Sequence, residues 1–296
     1  MMKSENRWLW IFALLLLCGV CTPSIAQEAE EAAKEGAVAE EAKSDEAGKA
    51  LLAELQEKSI KAVGGKEALE KFSSRKMSSK VKIADAGLEA ELTLFVDSQG
   101  NYRESMVITG YGNFQQGING EVAWSLDPIN GPRLVTGKEK EQLIRSARFQ
   151  PNLWLTRDHQ SATLAGEETL GDIACTIYDL KTNDGAVHKY WVANDDGLVR
   201  KVSMTVESPM GQIPIQVRMS EYKAVDGIQY PHKMSMKQGV QNMEVILNTL
   251  EHDAEIDAEM LTLPEQVKRL VERSKPKEEE TAEEPQGDSA EESSDR

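Results

Sequence analysis

The residues able to do chemistry in this chain are few and far apart. Its four histidines, His159, His188, His232 and His252, stand singly along the sequence. Nucleophilic or metal-assisted catalysis wants such residues in spaced sets. No H-E-x-x-H, no G-x-S-x-G and no glycine-rich phosphate loop is present. His188 and Lys189 alternate within a strand-like stretch and so point opposite ways, which reads as a polar-face histidine. Asp195-Asp196 supplies two adjacent acids, but within Asn-Asp-Asp-Gly they fit a turn better than an acid–base pair. Cys18 and Cys21 have zinc or redox spacing, yet both lie inside an apolar run. Cys175 then has no partner for an intramolecular disulfide and reads as a small hydrophobe on a strand. The expectation is a non-enzyme without cofactor or metal, with the reservation that catalytic groups can meet from distant strands.

The elements that would position any site begin after an N-terminal targeting segment. Lys3 and Arg7 precede an apolar run from Trp8 to Cys21. That run is shorter than the ~20 residues of a membrane span. Ser24-Ile25-Ala26 follows with small residues at the cleavage-determining positions, so 1–26 reads as a signal peptide cut after Ala26. Neither cysteine has the neighbours a lipid-modified N-terminal cysteine needs, and the mature protein is expected in the periplasm. The net charge of −16 is concentrated in two stretches. Residues 27–50 carry eight acids against three lysines, and 274–296 carry nine acids against three bases. Such Glu-, Ala- and Ser-rich segments are expected to be disordered or weakly helical, so 27–46 reads as a linker and 274–296 as a tail. The acidity argues against nucleic acid or an anionic membrane surface as partner, since both call for a basic footprint.

The folded part is expected over 47–273. It opens with an amphipathic helix whose apolar side carries Leu51, Leu52, Leu55, Ile60 and Val63, ended by Gly64-Gly65. "KEALEKF" gives a second short helix. From Ser78 the period changes to two: Leu88, Ala90, Leu92, Leu94 and Val96 face one way, and Glu89, Glu91, Thr93 and Asp97 the other. Similar stretches recur, among them "YRESMVI" with Met106, "EVAWSL" with Trp124, and "NMEVILNTL" with Val245. They are punctuated by Asn119-Gly120, Asp184-Gly185, Asp196-Gly197 and Asp226-Gly227. Serial hairpins predict an antiparallel meander of roughly nine to eleven strands, which must curl strongly. One helix interrupts it near 138–148, where Thr136 and Glu139 have capping-box spacing, and a greasy "PNLWL" loop follows. A short helix after Pro264 closes the fold. Pro231, just beyond Asp226-Gly227, fits an edge, a bulge or a strand start.

The fold class is therefore mainly β with α: a strongly curled antiparallel sheet that makes a trough or barrel. Its apolar face needs a cover. Leu52, Leu55, Leu143, Ile144 and Trp154 supply one from the first helix, the central helix and the loop. The inner wall is expected to carry Leu92, Leu94, Val96, Met106, Trp124, Met204, Met219, Met234, Met236 and Val245. The methionine bias, to which Met243 adds, suits a cavity for varied apolar ligands. Spacing alone favours an ordinary core.

The order "AVGGKEALEKF", "GEVAW", "LIRSARFQPNLWL", "KYWVANDDGLVRKV", "YKAVDGIQYPHKM" and "VILNTLEHDAEIDAEMLTLPE" resembles the outer-membrane lipoprotein carrier superfamily (LolA/LolB-like), in its lipoprotein-sorting-like branch. The resemblance runs over 47–272. The Y-x-x-V-D-G-I-x-Y-P piece and the terminal N-x-L-x-x-x-x-I-D-x-x-x-L-x-L-P piece carry it furthest. It implies a strongly curved, incomplete antiparallel barrel capped by helices, a LolA-like half-barrel with its mouth plugged, and a hydrophobic cavity shielding acyl chains of a lipid or acylated lipoprotein. Inner- and outer-membrane transport proteins would be further partners of a monomeric carrier. It also implies a lid-locking arginine, for which Arg75, Arg103, Arg145 and Arg148 are candidates. The acidic tails fall outside the family pattern. Two other readings remain open: an envelope-stress sensor that binds a membrane-anchored partner, and an accessory domain whose pocket is closed core.

Overall fold

The computed structural model describes residues 31–208, 211–256, 260 and 262–274, with side chains from residue 45 onward. The expected signal peptide and most of the C-terminal tail lie outside the described residues. Thirteen strands form one sheet. The first six are β1 (Ser74–Ile83), β2 (Leu88–Asp97), β3 (Tyr102–Ile108), β4 (Gly112–Asn119), β5 (Val122–Asp127) and β6 (Gly131–Val135). The other seven are β7 (His159–Leu170), β8 (Ile173–Thr182), β9 (Val187–Ala193), β10 (Val199–Ser208), β11 (Gly211–Val225), β12 (Ile228–Gln238) and β13 (Gln241–His252). The helices are α1 (Glu31–Ala62), α2 (Lys66–Glu70), α3 (Gly137–Ser146), α4 (Leu155–Asp158) and α5 (Glu265–Ser274).

The strand order is β6-β5-β4-β3-β2-β1-β13-β12-β11-β10-β9-β8-β7. Every neighbouring pair is antiparallel, and β1 zips onto β13 to join the two halves of the chain. The free edges, β6 and β7, are consecutive in sequence, so the sheet curls without closing. The chain between them, carrying α3, a 3-10 turn at Pro151–Leu153 and α4, is the one connection that is not a hairpin. The sheet has more strands than the roughly nine to eleven that alternation predicts. The additional ones include β4, β6 and the edge strand β7, whose residues 163–169 are all exposed and show no apolar alternation.

The Asp226-Gly227 turn has positive φ at both residues, 53° and 88°, as a two-residue hairpin turn of the twisted kind requires. Pro231 then lies inside the sheet, between β11 and β13. It pairs with Tyr222 of β11, while β13 pairs with β12 only from Lys233 onward. The two strands splay at Pro231, so its missing N–H interrupts no ladder. The end of α1 fills the splay: Gln229 N–H donates to Val63 O at 2.8 Å.

The first helix begins at Glu31, in a stretch where alanine and glutamate, strong helix formers, allow weak helicity. Two further expectations change. The capping box at Thr136 does not form, because Glu139 binds Arg133 of β6 at 2.8 Å instead. "PNLWL" is a 3-10 turn leading into α4.

Candidate functional site

Register assigns each strand residue to a face. Val81 of β1 stands between Ala90 of β2 and Val245 of β13. Val245 pairs with Met234, and Met234 with Met219. Ile83, Met243, Met236 and Val217 form the next row. Met204 pairs with Ile215 on the same side. Leu92 opposes Met106, and Val96 opposes Tyr102. The concave face thus collects Leu92, Leu94, Val96, Met106, Met204, Met219, Met234, Met236 and Val245 of the expected wall. Glu104 interrupts it, accepting hydrogen bonds from the Tyr102 hydroxyl and, at 3.3 Å, the Gln116 amide.

Trp124 belongs to the other face. It pairs with Gly117 and Leu134, whereas the inward row at that level is Tyr102, Ile118, Ala123 and Val135. The expectation of an inward Trp124 is corrected. It is nonetheless fully buried. The indole lies on Gly117, where a Cβ would come within 2.6 Å of it. Arg103 stacks over it at 5.6 Å, and α5 packs on the neighbouring β6. A bulky residue facing a glycine is a signal for this placement that alternation alone overlooks.

The wall is covered unevenly. Leu52 and Leu55 of α1 and Leu155 of α4 pack on Ala162, Tyr178, Leu180 and Val192 of β7, β8 and β9. Leu143 and Ile144 of α3, with Phe149, pack on Val96, Tyr102, Ile118 and Ala123. On β11, half-buried Ile213, Ile215, Val217 and Met219 alternate with exposed Gln212, Pro214, Gln216, Arg218 and Ser220. Met204, Met234 and Met236 are half-buried too. The principal helix contacts fall on β6, β7 and β10. Ile228 and Tyr230 at the start of β12 are buried with Val63 and Leu69, while Ile213 to Met219 of β11 and Met234 and Met236 of β12 form a half-exposed groove wall.

Ion pairs pin the central segment across the open edges. Arg145 of α3 meets Asp184, in the β8–β9 turn, at 3.1 Å. Burial pushes the Asp184 carboxyl up, but the Thr182 hydroxyl and Arg145 outweigh it and hold the carboxyl below its ordinary range. Arg148 grips Asp158 with two bonds, 2.8 and 3.2 Å, and stacks on Trp154 at 4.2 Å. Gln142 of α3 accepts from the Glu207 N–H of β10 at 3.1 Å. Of the four candidate lid-locking arginines, Arg145 and Arg148 are thus on the lid and paired. Arg103 is on the back of the sheet. Arg75 lies between the rings of Phe149 and Tyr230, at 5.9 and 5.3 Å.

Histidines that stand singly in the sequence find partners in the fold. His159 and His188 approach to 3.4 Å, both buried, which corrects the polar-face reading of His188. Burial, then His159 and Arg145, push the His188 pKa down to about 4. His252 stacks on Phe72, with its Nδ1 2.8 Å from Asp226 and its Nε2 2.9 Å from the Tyr230 hydroxyl. The two most distinctive family-like sequence pieces therefore meet at this point. Among the described residues no group of three or more His, Cys, Asp or Glu could hold a metal ion. No helix of the described residues is long and apolar enough to cross a membrane.

Beside this cluster a cleft of about 420 Å³ opens under the lid, lined by Leu69, Phe72, Ile118, Ile144, Phe149, Gln150, Leu153 and Trp154 among others. Ile144 and Trp154 of the expected lid thus border the cleft, while none of the expected wall residues lines it.

No family model matches the chain, and no curated protein matches it. Solved structures are similar. A DUF1329 family protein from Desulfovibrio piger has a TM-score of 0.49 at 12% identity, over 71% of this chain and 97% of its own. A putative outer membrane lipoprotein-sorting protein domain from Vibrio parahaemolyticus has 0.48 at 12%, over 73% and 97%. A LolA superfamily protein from Nitrosomonas europaea has 0.44 at 13%, over 67% and 96%.

Proposed function

We propose that the protein is a periplasmic, non-catalytic carrier that shelters the acyl chains of a lipid or acylated lipoprotein in the trough. The observation that carries this reading is the half-exposed wall of Met204, Ile215, Val217, Met219, Met234 and Met236. A core would cover such a wall, and a wet sheet face would be polar. Methionine adapts to chains of varied shape. Each buried CH₂ contributes about 0.8 kcal/mol, so a chain of ~16 carbons offers about 12 kcal/mol before ordering costs. That gain is measured against water, so it offsets the cost of taking the chain out of a bilayer. The ion-paired segment from α3 to α4 is the lid, and inner- and outer-membrane transport proteins are the partners such a cargo calls for.

The test is organic extraction of the purified mature protein followed by mass spectrometry, with displacement of a fluorescent acyl probe alongside. Co-purifying lipid and saturable probe binding are expected. Met236→Glu, a charge on the half-exposed wall, is expected to weaken probe binding about tenfold or more with the fold intact. An empty protein that binds no probe ends this reading.

A further inference from the structure

Under the lid, next to the 420 Å³ cleft, the structure holds a cation without an anion. Arg75 is always charged. Its guanidinium lies between the rings of Phe149 and Tyr230 and donates to the Tyr230 hydroxyl at 3.4 Å. Among the described residues, nearby carboxylates are committed elsewhere: Asp226 to His252, Asp253 to Ser73 and Ser74, and Asp97 to the β2–β3 turn. No ion pair to Arg75 is present among the described residues, and its Nε is buried without a hydrogen-bond partner. A half-buried charge normally finds a counter-ion, because the interior screens it poorly.

Gln150 repeats the pattern. It is 2% exposed, its Oε1 accepts from the same Tyr230 hydroxyl at 3.4 Å, and its amide nitrogen is buried with no acceptor. Its backbone is held at φ 52°, a left-handed conformation that a non-glycine residue adopts only under constraint from its surroundings. Arg75 donates to the Tyr230 hydroxyl and Gln150 accepts from it, so two side chains far apart in sequence meet at one hydroxyl beside the cleft, each with a further buried N–H unused. Buried donors in folded proteins are almost always satisfied, so two idle ones mark a place for an acceptor.

We propose that Arg75 and Gln150 anchor the anionic oxygen head of a lipid, a fatty-acid carboxylate or a lipid phosphate, with the Arg75 Nε–H and the Gln150 amide N–H donating to it. The first carbons of its chain lie against Phe72 and Phe149. The inference rests on the carrier reading and narrows it, from any acyl chain to one with an anionic end within reach of the lid. The Tyr230–His252–Asp226 chain of contacts is then the support that fixes the anchor, with Tyr230 as its positioning residue. Glu70 and Asp97 at the cleft rim disfavour entry by a free anion that brings no apolar chain.

The experiment titrates the mature protein at neutral pH with laurate, dodecyl phosphate and dodecanol, read by displacement of a fluorescent acyl probe. The proposal expects at least one anionic ligand to bind about tenfold or more tightly than dodecanol, and which of the two does so identifies the source. Arg75→Met and Gln150→Met should each erase that preference, bringing the anionic ligands down to the affinity of dodecanol for the same variant. Circular dichroism verifies that they fold, and the wild-type comparison stands alone if they do not. Equal affinity for all three ligands overturns the anchor and leaves the carrier reading in place. Failure of all three to bind removes both.

Discussion

At the scale of single residues, ionisable groups hold the lid down, and their removal has a calculable sign. Arg148 and Asp158 form a two-bond pair in which the Asp158 side chain is 10% exposed. Arg148→Ala leaves that carboxylate buried without its partner and takes away the stacking on Trp154. A loss of about 2–4 kcal/mol is expected, measurable as a lower urea midpoint, with Asp158→Asn in the same chain recovering part of it. His188 gives a pH signature. It titrates near 4 when folded, against an ordinary value near 6.5. The unfolded chain therefore takes up this proton first as pH falls. The contribution is complete above about pH 6.5 and is lost progressively towards pH 4, about 3 kcal/mol across the window. Thermal melts should show this acid-side loss, and His188→Asn should flatten it. A curve unchanged in the variant contradicts the buried neutral histidine.

At the scale of elements, the end of α1 is the joint on which the sheet depends. Gly64 has φ 128°, and a Cβ there would lie 2.2 Å from the Gly227 carbonyl oxygen. That oxygen belongs to backbone and cannot step aside. Gly64→Ala is therefore expected to cost about 3 kcal/mol or more and to loosen the Asp226-Gly227 turn, seen as faster amide exchange at Gln229. The same joint explains why a proline is tolerated between two paired strands. The α1 terminus takes over the Gln229 N–H just where β12 and β13 part. At the other end of the sheet, α5 shows how a second apolar face is accommodated. Val267 is fully buried, and α5 packs on β6 beside Trp124.

At the scale of the whole molecule, the β1–β13 ladder makes the two halves one folding unit. Nine residues of β1 run along β13 from Arg75–His252 to Ile83–Met243, so the N-terminal meander has no partner until the last strand is made. Unfolding in denaturant should be a single transition. Tryptophan fluorescence, reporting Trp124 and Trp191 from opposite ends of the sheet, should coincide with far-ultraviolet circular dichroism. Separate midpoints contradict the single unit. The openness between β6 and β7 belongs to this scale too. The segment from α3 to α4 crosses it through the Arg145–Asp184 pair, side-chain contacts and a backbone bond from Asn183 N–H to Asp158 O, with no strand ladder.

The sequence by itself determined the alternation of strands, the hairpin turns and the three principal helices. Each of these rests on local periodicity or on turn chemistry that neighbouring residues enforce. It also singled out the concave rows, because Leu92, Met106, Met234 and Val245 repeat at period two on strands whose other side is polar. It failed at Trp124, where both faces of β5 are buried and alternation no longer tells inside from outside. Only the tertiary structure decided which end of the wall is covered, since that depends on where α1 and α3 land. Only it joined Arg75 to Tyr230, 155 residues apart, and made solitary histidines into pairs. Such contacts depend on register summed over many strands. A one-residue shift in any of them would turn the side chain to the opposite face.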